Sequence, residues 1–473
     1  MVRIILIGMG NNLNEEKGKI RSKKAIKCHY LPIEERLSSS SEVNLGYIEF
    51  EEVLKECERC YQCFKNNDPK VKPPPCMKYC PTHCNSRDII KNVLVGNIEE
   101  ALRIIYTHYP FPRSVERVCP GYCQLYCTAG KKGDPIQIPI IKRFLVDHYR
   151  PLEEYFKCET NTGKSVAIIG SGPLGLTAAY FLQKDGFNVT IFEKLNVLGG
   201  MMATEIPEFR LPKEILNNEI ENIKKLGIEF ITNRGINENF TIKKLFESEF
   251  DAVIVGIGTH KGKWTNLPGE ESKIILQAID FLKKFNLKKK IPNLKKKEVV
   301  VIGGGSTATD AARVAKRLGA NVSILYRREK DQMPAGRVEI NDTESEGISI
   351  KYLTNPVEFV CSENDFQITV CQKVKLGELD SSGRPKPIPI KESEFRVEGD
   401  YIIEAIGQEP DLIGFDKTEF KITKWNTFEV DDKFFTSVPK VLAGGDCVTG
   451  SKSVVDAVAQ GKIIAEQIRD FLL

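Results

Sequence analysis

The sequence predicts an α/β fold: two dinucleotide-binding units built on parallel sheets, preceded by a small helical unit rich in cysteine. Three observations carry this. Nine of the fourteen cysteines fall between Cys57 and Cys127. Two glycine-rich turns follow, each leaving an apolar strand and entering a helix-forming run. A further apolar strand ends in Gly444, Gly445 and Asp446, ahead of a helical pattern over 451–467.

A chain of 473 residues has room for about three domains. Its formal net charge is only +4, which calls for neither nucleic acid nor an anionic membrane. A lysine-rich stretch (Lys283, Lys284, Lys288 to Lys290, Lys295 to Lys297) is read first as a solvated linker face, and second as a docking patch for an acidic redox partner. No apolar run approaches the ~20 residues that span a bilayer. Residues 1–8 are too short for a secretory leader and read as a short strand in an N-terminal extension. Clustered, unevenly spaced cysteines in an enzyme-sized chain favour metal or cluster binding over disulfides, so the cytoplasm is the expected compartment.

The cysteines form two groups. Cys57, Cys60 and Cys63 are followed after twelve residues by Cys76, Cys80 and Cys84; the second group is Cys119, Cys123 and Cys127. A [4Fe–4S] cluster needs four ligands, normally thiolates, and closely spaced cysteines on a turn can hold neighbouring irons. Proline follows Cys80 and Cys119 directly, removing a backbone N–H and fixing the chain's exit. Between the groups, 98–106 has helical apolar spacing. Structural zinc is the competing reading, since paired cysteines also suit a tetrahedral ion.

The first nucleotide motif has Gly170, Gly172, Pro173 and Gly175 between an apolar strand and a helix over 176–184. In a Rossmann-like turn the first glycine permits the bend, the second admits a pyrophosphate and the third lets helix and strand pack. A second strand, Asn188–Phe192, ends at Glu193, where an acid holds a ribose hydroxyl. The second motif has Gly303, Gly305, Ser306 and Thr307, with Ala308 in the third glycine position. Its following strand, Asn321–Leu325, ends in Tyr326, Arg327 and Arg328. Guanidinium groups accept a 2′-phosphate that an acid would repel. The acidic site therefore suits FAD and the basic one NADPH. Asp446 suits a ribityl hydroxyl or an ordinary helix cap, and Ser453 lies near the start of the last helix.

At these residues the chain resembles the glutamate synthase small-subunit family. That group includes the large subunit of NADH-dependent ferredoxin:NADP oxidoreductase and the N-terminal half of dihydropyrimidine dehydrogenase. The resemblance covers about residues 46–473. Its landmarks include Arg59 with Cys60 and Cys63, Arg117 with Cys119 and Pro120, Gly199 with Gly200, 206–212, 278–282, 326–328, 333–335 and 444–446. It implies that Cys60, Cys63, Cys76 and Cys127 hold one [4Fe–4S] cluster, and that Cys80, Cys119 and Cys123 supply three ligands to a second. It also implies an NADPH domain inserted between two segments of the FAD domain, with Lys194, Gly200, Arg210, Gly258 and Gly445 added to the cofactor-binding set. Two departures stand out. The loop between Cys63 and Cys76 carries an insertion containing Pro73, Pro74 and Pro75. The family's fourth ligand to the second cluster, a Glu or Gln, falls on Lys142, whose ammonium has no lone pair. Either Cys84 or Cys57 substitutes, or the cluster has an open site, or it is absent.

The expected organisation is an N-terminal extension (1–45), a helical [4Fe–4S] domain (46–160), a first FAD segment (161–290), an NADPH domain (291–408) and a second FAD segment (409–473). The expected function is an FAD- and iron–sulfur-dependent NAD(P)H oxidoreductase subunit, exchanging electrons with a partner subunit or ferredoxin in a hetero-oligomer. The alternatives are a stand-alone NADPH reductase of a small acceptor such as polysulfide or a quinone, and a zinc-stabilised docking module without enzymatic activity. No general acid–base residue is nominated.

Overall fold

The computed structural model describes residues 21–63, 73–361, 367–380 and 383–473. The strand expected over 1–8 and most of the insertion between Cys63 and Cys76 lie outside them. Two five-stranded parallel sheets organise the chain. The first has the order Val441–Ala443, Ala252–Val255, Ser165–Ile169, Asn188–Phe192, Glu229–Ile231. The second runs Ser349–Lys351, Asn321–Leu325, Glu298–Ile302, Tyr401–Glu404, Ile275–Gln277. The glycine-bearing strands, Ser165–Ile169 and Glu298–Ile302, are central in each and almost wholly buried. That burial explains their unbroken apolar runs, because helices cover both faces of a parallel sheet.

The second sheet is inserted in the first unit's sequence, and the two crossings touch. Lys261–Gly262 pairs antiparallel with Gln408–Glu409. The first FAD segment was expected to reach residue 290. In the structure Ile275–Gln277 already pairs with Tyr401–Glu404 in the second sheet, and the helix Ala278–Asn286 packs against the helix Ser306–Arg317 beside it. A three-residue strand carries too little pattern to reveal which sheet it joins. A three-stranded antiparallel sheet (Thr354–Cys361, Gln367–Leu379, Pro385–Gly399) extends the second unit.

The cysteine-rich unit is helical, as expected, with helices at Phe50–Glu58, Ser86–Leu94, Ile98–His108, Pro112–Val118 and Ile138–His148. Glu219, from the first nucleotide unit, ties it down by accepting hydrogen bonds from the Arg113 and Ser114 backbone N–H groups and the Ser114 hydroxyl. These are the free donors at the start of Pro112–Val118, the helix that delivers Cys119. Buried Arg59 pairs with Glu56 and donates to the carbonyls of Ser22, Lys23 and Asp134, stitching the loops around Cys60. The described part of the extension reaches across the units. Arg36 faces Asp342 at 3.9 Å, and Glu42 pairs with Arg117 and Arg143.

Candidate functional site

The first glycine turn is built for close approach. Gly170 has φ +105°, and a Cβ on Gly175 would fall 2.0 Å from the Gly170 carbonyl oxygen. Around Gly172, by contrast, a Cβ would meet nothing within 4 Å. The backbone there faces open space at the N-terminus of the helix Pro173–Lys184, where a pyrophosphate is stabilised. The second turn repeats this: Gly305 faces open space before the helix Ser306–Arg317. Both cradles thus leave room for a dinucleotide.

A single cavity of about 2450 Å³ joins the two turns. Every nucleotide-site residue expected from the sequence lines it except Gly175, which serves helix–strand packing. Glu193 is buried; its carboxylate accepts hydrogen bonds from the Ser171 N–H (3.0 Å) and hydroxyl (2.6 Å) and from the Leu195 N–H (2.8 Å). Lys194 is largely exposed and pairs with Asp411 at 2.9 Å. Gly200 lies against Gly172, and Gly258 lies near the His260 ring. The Gly445 N–H donates to Gln460, and Asp446 accepts from the Lys452 N–H. Burial pushes the Asp446 carboxyl up to about 7. Ser453 caps the helix Val454–Leu472 in a reciprocal pair with Asp456.

In the second unit Thr307 accepts from Gln408, while the Ser306 hydroxyl donates to Glu339 at 2.8 Å. The arginine pair divides. Arg327 is exposed to the cavity, whereas Arg328 is 2% exposed and turned inward, donating to Asp380 at 2.6 Å and to the Pro385 carbonyl. Partial burial, then like-charge repulsion from Arg328 and from Arg384, lowers the Arg327 pKa. Arg210, which lines the cavity, also bridges the two units through Asp310 (2.6 Å) and Glu339.

Several cavity residues escaped the sequence reading. Buried Glu205 lies 3.2 Å from the His260 Nδ1, close to Asp446. The hydroxyl of Tyr122, which opens the short helix Tyr122–Leu125 between Cys119 and Cys127, donates to Asp456 at 2.9 Å. That bond joins the cysteine unit to the last helix of the first nucleotide unit. Isolated polar residues of this kind have no spacing pattern, so only the fold reveals them.

The cysteines fall into two neighbourhoods: Cys60, Cys63, Cys76 and Cys127 are electrostatic neighbours, and Cys80, Cys119 and Cys123 lie together with Cys84 beside Cys80. Burial pushes the Cys60 thiol up to about 11 and those of Cys76 and Cys119 to about 12, so filling the sites must release protons. Among the described residues no three His, Cys, Asp or Glu side chains converge as a single metal ion requires. A four-iron cube spreads its ligands over separate corners, which this looser grouping suits. Cys57 belongs to neither set; it is buried beside Glu56, Glu58 and Cys60.

Comparison with known proteins agrees with this layout. Residues 164–461 match the family described as pyridine nucleotide-disulphide oxidoreductase, and residues 36–153 match dihydropyrimidine dehydrogenase domain II, 4Fe-4S cluster. The chain is 38% identical over 425 residues to the NADP(+)-dependent formate dehydrogenase subunit beta of Moorella thermoacetica, covering 84% of this chain and 60% of that one. It is 34% identical over 430 residues to the NADPH-Fe(3+) oxidoreductase subunit beta of Geobacter sulfurreducens, covering 84% and 63%. It is 30% identical over 462 residues to the glutamate synthase [NADPH] small chain of Azospirillum brasilense, covering 93% of each. The chain therefore spans less than two thirds of the first two relatives and nearly all of the third. In fold, it resembles FprA of Mycobacterium tuberculosis in complex with NADPH, with TM-score 0.56, 19% identity and coverage of 65% of this chain and 85% of that one.

One parallel sheet inserted in the other's chain, two glycine cradles on one cavity and a thiol-rich unit define a dinucleotide-binding flavin and iron–sulfur protein. The chain belongs to the pyridine nucleotide-disulphide oxidoreductase family and is a relative of glutamate synthase small chains. Its cofactors are FAD, NADPH and one or two [4Fe–4S] clusters. No described helix is long and apolar enough to cross a membrane.

Proposed function

We propose that this chain is the electron-transfer subunit of a larger cytoplasmic redox assembly, exchanging electrons between NADPH and a partner subunit or ferredoxin. The observation that carries it is continuity: the cavity shared by both glycine turns is also lined by Cys119 and Cys127. The subunit names of the relatives from Moorella and Geobacter support the partner.

Each cofactor has assigned holders. The turn from Gly170 to Gly175, with Glu193 and Asp446, would hold FAD; Gly303, Gly305, Ser306 and Arg327 would hold NADPH. Cys60, Cys63, Cys76 and Cys127 would hold one [4Fe–4S] cluster, and Cys80, Cys119 and Cys123 part of a second. When bound, the flavin supplies both two-electron and one-electron chemistry, and the clusters one-electron chemistry. The protein's part is placement. The helix N-termini stabilise the phosphates. Arg327 selects the 2′-phosphate, and the Tyr122–Asp456 bond keeps the cluster loop against the flavin unit.

Substitution of Arg327 tests the nucleotide assignment. Arg327→Ala should weaken NADPH by about 10- to 100-fold, the range of a charge-assisted hydrogen bond, with little change for NADH. Equal losses for both nucleotides would remove the phosphate-recognition argument.

A further inference from the structure

The helix Pro112–Val118 places Glu116 three residues before Cys119, one turn away on neighbouring faces. The Glu116 side chain is 0% exposed, and its Oε1 lies 2.6 Å from the Lys142 Nζ. Beyond this ion pair, neither carboxylate oxygen has a hydrogen-bond partner among the described residues. A buried carboxylate is costly unless its lone pairs are used, so this group calls for a ligand. Glu116 is also the foremost charged neighbour of Cys119, and it is near Cys123. Cys80 shares that neighbourhood. The three thiols that the resemblance assigns to the second cluster leave one corner of a four-iron cube without a donor, with Glu116 and the thiol of Cys84 both at hand.

We propose that Glu116, held through Oε1 by Lys142, supplies its Oε2 as the fourth ligand of the second [4Fe–4S] cluster, beside Cys80, Cys119 and Cys123. The inference rests on the two-cluster form of the function proposed above. Of the two cysteine alternatives, Cys84 is fully enclosed and has Lys142, Cys80 and Glu116 as its electrostatic neighbours, so it is the competing donor that the Cys84→Ala variant below tests. Cys57 lies with Cys60, in the other group's surroundings. A carboxylate carries the same charge as a thiolate, so the exchange leaves the net charge of the site unchanged. Lys142 is then a positioning residue. It donates to the Tyr109 hydroxyl at 3.2 Å and orients the ligand, as outer-shell partners do.

The test is iron per FAD, with low-temperature EPR of the reduced protein, on anaerobically purified full chain. Wild-type protein should hold about eight irons per FAD. Glu116→Ala should fall to about four, the content of one cluster, with FAD retained. Since removing one member of a buried pair strands the other charge, Glu116→Ala/Lys142→Met deletes both and should also hold about four. Glu116→Cys should keep about eight with an altered EPR signature, and Cys84→Ala about eight with none. Full iron and an unchanged spectrum in the double variant would overturn the assignment, as would loss of four irons in Cys84→Ala. About four irons in the wild type, all lost in Cys60→Ala, would instead remove the two-cluster reading itself.

Discussion

Arg327 and Arg328 stand side by side in sequence and do different work. Arg328 is buried against Asp380, so Arg328→Ala should lower stability by about 1–3 kcal/mol while leaving the NADPH-to-NADH preference intact. Thermal unfolding alongside nucleotide titration separates the two arginines; an altered preference in Arg328→Ala would contradict its inward role. Glu404 gives a pH prediction. Burial, with a further push from nearby Glu270, raises its carboxyl from 4.5 to about 7. An acid raised on folding stabilises the fold below its unfolded value, and that contribution is lost as pH rises through the folded one. Stability should therefore fall between about pH 4.5 and 7, and Glu404→Gln should flatten that slope in denaturant titrations across the range. The glycines, Glu193 and the Arg327 position were legible in sequence because a phosphate-binding turn imposes fixed spacing. The fates of Arg210, Arg328 and Glu116 were not, because an ion pair between distant elements leaves no local pattern.

At the scale of elements, strands and helices with strong periodicity fell where the sequence placed them. Asn188–Phe192 and Asn321–Leu325 are strands, and the helical spacing from Ile98 became the helix Ile98–His108. The end of the first FAD segment was less legible, since the short strand Ile275–Gln277 is assigned by its partner Tyr401–Glu404 and not by its own residues. Helix packing carries a further expectation. Gly461, on the helix Val454–Leu472, lies so close to the helix Pro173–Lys184 that a Cβ would sit 2.6 Å from the Leu174 carbonyl oxygen. Gly461→Val must push the helices apart, at a cost of about 1–3 kcal/mol. Because Pro173–Lys184 begins at the first glycine turn, FAD occupancy should fall as well. Normal flavin content and thermal stability in this variant would show that the contact is not needed.

Across the whole molecule, each unit reaches the others through polar bridges. Glu219 secures the helix leading to Cys119, Tyr122 bonds Asp456, and Arg210 joins the two nucleotide units through Asp310 and Glu339. The order of the units was legible because the cysteine cluster and the two turns occur in sequence. Their convergence on one cavity was not, since it depends on the insertion of one sheet into the other's chain. The central claim is that this cavity and the neighbouring thiols hold a flavin and iron–sulfur relay. Iron, zinc and FAD per chain, measured on anaerobically purified protein, test it most directly. The account predicts one FAD, about eight irons and no stoichiometric zinc. Zinc in place of iron would contradict it and leave a docking module with no electron path.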